Sequence, residues 1–274
     1  MPFETHNTFQ FSEKGGIGYL ESTALADYDF IIHAFLTRRG GAGGERPVSF
    51  NFGNPPGERK DTAQRNWDLL SSAFGIPVEK FFTVDQVHGG EILIIDDDPD
   101  VKAVKGRDFP FDGIITARPG IAIGIKTADC VPVFFIDPVK PIIGAVHAGW
   151  KGTSLSIAAR AVDLLVTRFG SDSKDIRAVI GPAIGPCCYE VDRRVFESMK
   201  HLPGRDLLFK EGDNEGKWML DLGAANRFQL EERGIPTGNI CSADLCTSCQ
   251  RDTFFSHRGD GGGTGRQLNF IMLR

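Results

Sequence analysis

An α+β fold with mixed sheets is what this sequence predicts, on three observations. Segments with strand character outnumber those with helical period, and the two kinds do not alternate one for one. No Pro-, Gly- or Ser-rich linker, fixed-period repeat, low-complexity tract or charge block divides the chain. Regular alternation would point to a doubly wound parallel sheet; its absence points to mixed sheets flanked by helices. The unbroken pattern points to a single domain over residues 1–274, long enough to bury a full core.

Each element has its own reason. Residues 29–36 (DFIIHAFL) are apolar and β-branched, and read as a strand before a glycine-rich turn at 40–44. Residues 61–74 read as a helix, with Asp61 or Thr62 as the N-cap and Gly75 just past its end. Short strands are expected at 80–84, 91–95, 112–116, 121–126, 131–136 and 142–146. Residues 154–169 carry the clearest helical period, through Leu155, Ala158, Ala159, Val162, Leu165 and Val166, and Gly170 closes it. A strand at 176–180, helices at 189–200 and 221–233, and strands at 253–257 and 267–273 complete the expectation.

Composition removes several classes of function. The chain is 41% hydrophobic and 24% charged, as ordinary globular proteins are, with net charge −5. A surplus of acid argues against a nucleic-acid partner, because phosphate contacts need a basic patch. No apolar run reaches the ~18 residues that span a bilayer, and the first residues lack the basic-then-apolar order of a signal peptide. A cytoplasmic protein without a membrane partner is expected, and a monomer. The six histidines include no His-x-His pair. The six cysteines do not read as a disulfide framework, because the chain is long and its first half holds one of them.

Three segments each place a potential metal ligand at a strand end or turn: Asp85-Gln86-Val87-His88-Gly89, Thr127-Ala128-Asp129-Cys130 and Ala145-Val146-His147-Ala148-Gly149-Trp150-Lys151-Gly152. Catalytic zinc takes three protein ligands and keeps one position open, which His88, Cys130 and His147 would satisfy. Spacing alone favours the plainer reading, two core histidines and a buried thiol, because the ligands lie far apart in sequence and form no compact metal motif. The run from His147 into the following helix combines glycines, Lys151 and free backbone amides, an anion site or an ordinary helix start. Residues 255–267 and the run Thr37-Arg38-Arg39-Gly40-Gly41 are rich in Gly and Arg, and suit a phosphate or a flexible turn. Cys241-x4-Cys246-x2-Cys249 matches three ligands of a plant-type iron–sulfur site, but no fourth cysteine follows. A structural thiol cluster is expected there, and buried free thiols at Cys187-Cys188.

Together these segments resemble the family long labelled multicopper polyphenol oxidase or laccase domain, now associated with zinc-dependent purine nucleoside phosphorylase and adenosine deaminase activity. The resemblance rests on Gln86-Val87-His88-Gly89, Thr127-Ala128-Asp129-Cys130, Val146-His147-Ala148-Gly149-Trp150-Lys151-Gly152, Cys188-Tyr189-Glu190-Val191 and Phe254-Phe255-Ser256-His257-Arg258. Thr37-Arg38-x-Gly40-Gly41 and Ser49-x-Asn51-x-Gly53 also match. It implies that His88, Cys130 and His147 are the metal ligands. It also implies a fold similar to the cytotoxic-necrotizing-factor-like putative cysteine hydrolases. One departure stands out. The family commonly has Glu-Asn-Arg in its first long helix, where this chain has Arg65-Asn66-Trp67. Arg65 projects about 200° from position 67 on a helix, so it does not replace that arginine.

Under this resemblance the substrates are a purine nucleoside (adenosine, inosine or methylthioadenosine) and phosphate. Arg38, Lys151 and Arg258 are the candidates for phosphate, since guanidinium groups bind its oxygens bidentately. Asp129 beside Cys130 is a proton shuttle or a cap on its turn, and Ser49 and Asn51 offer polar contacts to ribose or base. Competing readings are a copper-dependent phenol oxidase, a metal-independent hydrolase using Cys130 with a histidine base, and a non-catalytic binding protein. Six unpaired histidines fit one Zn2+ site better than a multicopper cluster, although Cu2+ can enter the same three ligands.

Overall fold

A computed structural model describes residues 8–41, 50–53, 60–95 and 110–274. Its strands are β1 (Phe9–Lys14), β2 (Ile17–Ser22), β3 (Ile31–Leu36), β4 (Phe81–Thr83), β5 (Ile92–Ile95), β6 (Gly113–Thr116), β7 (Ala122–Thr127) and β8 (Val131–Asp137). They continue with β9 (Ile142–Ala148), β10 (Arg177–Ile180), β11 (Glu190–Asp192), β12 (Phe209–Glu211), β13 (Lys217–Leu220), β14 (Ile240–Ser242) and β15 (Gln267–Leu273). The described α-helices are α1 (Lys60–Phe74), α2 (Trp150–Ser154), α3 (Ile157–Phe169), α4 (Arg193–Ser198), α5 (Arg205–Leu208) and α6 (Leu222–Glu232).

The sheets are mixed, as expected. One runs β1-β2-β3-β15-β7-β4, antiparallel except for β4 beside β7. The other runs β14-β10-β8-β9-β6-β5, with parallel pairs only at its two edges. A small third sheet, β11-β13-β12, was not anticipated from the sequence.

Burial explains the layering. All seven residues of β8 are buried, so both faces of its sheet are covered. Val131, Val133 and Phe135 point one way and pack with Ala158, Ala161 and Leu165 of α3 and Leu222 and Leu230 of α6. Phe134 and Ile136 point the other way and meet Phe35, Ile123 and Ile271 of the first sheet. That alternation is the two-residue period of a strand. The first sheet's outer face, with Ile17, Leu36 and Phe270, is covered by Leu70 and Phe74 of α1. The order of layers is therefore helix, sheet, sheet, helices. Phe35 stacks on Phe134 at 4.4 Å between centroids, at the seam of the sheets. Truncating either ring to alanine costs ~3–5 kcal/mol.

Several sequence expectations change. Helix α1 begins at Lys60, so Asp61 and Thr62 both lie inside the helix instead of capping it. The helix expected from 154 is broken, because Ser156 takes φ 57. Residues 150–154 form a separate short helix, and Leu155, expected in the core, is exposed. Residues 190–192 pair with β13 before Asp192 caps α4 by accepting the Val195 N–H at 3.2 Å. Residues 253–257 form turns and not a strand. Their amides bond locally, Thr253 and Phe254 to Gln250 O, while the side-chain oxygen of Gln267 takes Phe255 N–H.

Candidate metal centre

The turn from β7 to β8 crosses from one large sheet to the other, and it carries Ala128-Asp129-Cys130. Beside it, β9 ends at His147-Ala148, paired with Pro132 and Val131. The loop leaving β4 arrives from the first sheet. Gln86 fastens that loop to β7: its amide donates to Lys126 O and its carbonyl accepts the Lys126 N–H, both at 2.7 Å.

His88 sits in that loop with φ 60, a left-handed conformation uncommon outside glycine. The turn aims three successive amides at one carboxylate. Val87, His88 and Gly89 N–H donate to Asp112 at 3.2, 3.0 and 2.6 Å. The same carboxylate holds His147 Nδ1 at 2.8 Å, and His147 N–H donates to Asp112 O at 2.7 Å. Burial works against ionisation of Asp112, but the hydrogen bonds from His147 and the Gly89 and His88 amides outweigh it and lower its pKa. With Nδ1 engaged, His147 turns Nε2 toward Cys130 and His88.

The ligand atoms of His88, Cys130 and His147 lie within 4.8 Å of one another. Burial alone would raise the Cys130 thiol; the charge on His147 and hydrogen bonds from both imidazoles bring its pKa down to about 6. Burial alone would lower His147; the Cys130 charge and the Asp112 hydrogen bond raise it to about 9. The pocket thus favours a thiolate beside a positive charge. A metal ion held by the three side chains would supply that charge in place of the proton, and its ligand must be the thiolate. The donor set fits a metal. Asp112 behind His147 fixes the ring as carboxylates do behind metal-bound imidazoles. His88 is exposed, which leaves a side open.

The motif glycines have a steric reason. A Cβ on Gly149 would lie 3.0 Å from Cys130 Sγ and 3.1 Å from His88 Cδ2, and one on Gly152 would lie 2.9 Å from Gly89 O. Only glycine lets the start of α2 pass this close.

Other expected site residues divide into two groups. Asp129 and Arg258 join the centre. Asp129, at φ 88, accepts Thr247 Oγ1–H and Arg258 N–H, both at 2.6 Å, on its two carboxylate oxygens. The Arg258 side chain donates to Glu190 O at 2.9 Å and lies over the Tyr189 ring at 5.2 Å. Lys151 is exposed on α2, two residues after Gly149, with its Nζ 5.6 Å from the Trp150 ring centroid. Because α2 has five residues and Gly149 provides no side-chain cap, the long helix expected there does not present its N-terminus.

Arg38 and Asn51 belong to the neighbouring C-terminal loop. Arg38 donates to Arg251 O at 2.8 Å, pairs with Asp260 at 3.7 Å and covers the Phe255 ring at 4.7 Å. Its Nε is buried without a hydrogen-bond partner among the described residues. Asn51 is buried, and its side-chain oxygen accepts Gly53 and Arg266 N–H at 2.8 and 2.7 Å. Its carbonyl accepts Asn66 Nδ2–H at 2.9 Å. Asn51 therefore shapes its loop. Ser49 lies outside the described residues. Trp67 packs its ring against Phe52 and Phe81, in the apolar layer under α1, and Arg65 pairs with Asp61 on the exposed face.

Sequence reasoning missed Asp112. The available signal was a lone acid opening an apolar strand, Phe111-Asp112-Gly113-Ile114-Ile115, at a position with 0% exposure. It also missed Thr247. The cysteines are grouped differently from expectation: Cys187, Cys188, Cys246 and Cys249 converge, while Cys241 lies on β14 against the core between the sheets. Cys187 is exposed and not buried.

Fold and side chains together define an α+β protein with a three-ligand His–Cys–His centre, open on one side. Comparison with known proteins gives the family. The family model described as multi-copper polyphenol oxidoreductase laccase matches residues 32–274, and the chain belongs to that family. It is 38% identical over 252 residues to purine nucleoside phosphorylase YlmD of Geobacillus stearothermophilus, covering 89% of this chain and 90% of that protein. It is 33% identical over 256 residues to adenosine deaminase RL5 of an unknown prokaryotic organism, covering 89% and 94%. The crystal structure of Bacillus licheniformis hypothetical protein YfiH superposes with a TM-score of 0.88 at 37% identity, covering 98% of this chain and all of that one.

Proposed function

We propose that this chain is a zinc-dependent purine nucleoside phosphorylase acting on adenosine, inosine and methylthioadenosine, with adenosine deamination as a second activity. The observation that carries the reading is the convergence of His88, Cys130 and His147, with Asp112 bracing the two histidine segments, in a chain whose relatives bear those two names.

In phosphorolysis a phosphate oxygen bonds to ribose C1′ while the C1′–N9 bond breaks. The bond's electron pair leaves with the purine, which takes up a proton. In deamination water displaces the 6-amino group of adenine as ammonia. Zinc bound by His88, Cys130 and His147 would supply a Lewis acid at the open position. Arg258, whose backbone is bonded to Asp129 beside Cys130, and Lys151, four residues after His147, are the candidates to supply positive charge for phosphate. Arg38, whose Nε has no hydrogen-bond partner among the described residues, is the third candidate, packed on the C-terminal loop that carries Arg258. Both carboxylate oxygens of Asp129 are engaged, so its role is to position Arg258 and Thr247 next to Cys130.

This reading takes residues 1–274 as one domain acting as a monomer in the cytoplasm, akin in fold to the cytotoxic-necrotizing-factor-like group. No described helix is long and apolar enough to cross a membrane, and the net charge of −5 suits nucleosides better than nucleic acid.

The test is to supply the zinc-loaded protein with inosine and phosphate, then with adenosine alone, and separate the products. Hypoxanthine with ribose 1-phosphate, and inosine from adenosine, are expected. Hypoxanthine without ribose 1-phosphate would make the enzyme a hydrolase, and no turnover would overturn the proposal. His88→Ala should lose turnover. Metal content without added copper separates zinc from copper chemistry, and activity surviving chelation would favour a Cys–His nucleophile instead.

A further inference from the structure

A second group of potential ligands lies outside the centre described above. Cys187, Cys188, Cys246 and Cys249 place their four sulfurs within 4.8 Å of one another. Cys249 Sγ is 3.5 Å from Cys187 Sγ and 3.4 Å from Cys188 Sγ. Four sulfurs at ~2.3 Å around one zinc form a tetrahedron with edges of ~3.8 Å. The observed spacing matches a single ion. An iron–sulfur cluster would insert several irons and sulfides and hold the thiolates further apart.

The backbone is shaped for this convergence. Two loops, after β10 and after β14, are joined by an isolated bridge between Ala183 and Cys246, with Thr247 N–H donating to Ala183 O at 3.0 Å. Cys246-x2-Cys249 forms one tight turn, closed by Gln250 N–H on Cys246 O at 3.2 Å, and this spacing recurs in structural zinc sites. Gly185 N–H donates to Cys246 Sγ at 3.2 Å. A Cβ on Gly185 would meet Cys246 Cβ at 3.2 Å and Cys187 Sγ at 3.3 Å, so glycine makes room for the sulfurs.

We propose that Cys187, Cys188, Cys246 and Cys249 bind one zinc ion as a closed tetrathiolate, a structural site separate from the His–Cys–His centre. The ion ties the two loops together. Thr247, held between Cys246 and Cys249, donates to Asp129 Oδ1, and Ile184 N–H, on the partner loop, donates to Asp129 O at 2.9 Å. Through these bonds the clip fixes the turn that carries Cys130.

Zinc content of reduced, zinc-grown, extensively dialysed full chain tests this without reference to turnover. Two zinc ions per chain are expected, one in His88→Ala and one in Cys249→Ser. Cobalt loaded into His88→Ala should show strong thiolate-to-cobalt charge transfer, lost when Cys249→Ser is added. Folding failure of that variant is covered by a second measurement on the unaltered sequence: zinc should shield these four cysteines from alkylation, counted by mass. One zinc in both the unaltered chain and Cys249→Ser, no metal in His88→Ala, or alkylation indifferent to zinc would each overturn the proposal.

Discussion

The molecule gathers sulfur and nitrogen ligands in two places, and it builds them differently. His88, Cys130 and His147 come from a loop and two strand ends, and one buried carboxylate, Asp112, ties the two histidine segments together. The four-cysteine group comes from two turns, braced by backbone bonds and a glycine at 185. In the first, a side chain with four hydrogen-bond donors on it sets the geometry, and one side remains open. In the second, all donors are thiols and the shell is complete. An open site needs rigidity from outside its ligands, because the fourth position must stay free.

The largest expected effect comes from removing that outside brace. Asp112→Ala takes the carboxylate away from three part-buried amides and the buried His147 ring, and since hydrogen bonds to a charged group are worth ~1.5–3 kcal/mol each, it should lower stability by several kcal/mol. Asp112→Asn keeps the shape but offers an NH2 to N–H donors, and should weaken zinc binding by about 10–100-fold. Competition against a chromophoric chelator measures it; unchanged affinity would show that Asp112 does not organise the centre.

A second effect contrasts two buried histidines. Where no metal takes the proton's place, the Cys130 charge and the Asp112 hydrogen bond raise His147 to about 9, whereas burial lowers His33 to about 4, and its Nε2 accepts the Ser22 N–H at 2.8 Å. Unfolded, His33 binds a proton near the usual 6.5. The unfolded state therefore carries more protons between about 6.5 and 4, and stability falls as pH drops through that window, then levels below it. The loss is about 3 kcal/mol. Denaturant unfolding of the full chain against His33→Gln should show this slope removed in the variant; identical slopes would contradict it.

The smallest effect is steric. Gly149→Ala presses a methyl on Cys130 and His88, and should weaken metal binding at that centre by about tenfold with little change in folding. The tetrathiolate group should be untouched by it, so loss of metal from both places would mean that they are not independent.

Much of the fold was legible because β-branched runs and helical periods are local signals. The strands from β3 to β10, α1, α3 and β15 all lie where their residues place them. The third sheet was not, since Lys217–Leu220 is short and pairs with Glu190–Asp192, distant in sequence. The break at Ser156 was invisible to periodicity, because it depends on where residues 150–154 must sit against Gly89 and Cys130.

The sequence by itself determined most of the helices and strands and the mixed sheets, because periodicity and β-branched runs are written in the residues, and it singled out His88, Cys130 and His147 through motifs shared with a family. Tertiary structure alone decided that Asp112 braces two of the three ligand-bearing segments and that Asn51 and Asp129 hold loops. It also decided that cysteines 58 or more positions apart, such as Cys188 and Cys246, form one group. Those choices depend on which segments the two-sheet packing brings within hydrogen-bonding distance, and no local pattern carries that information.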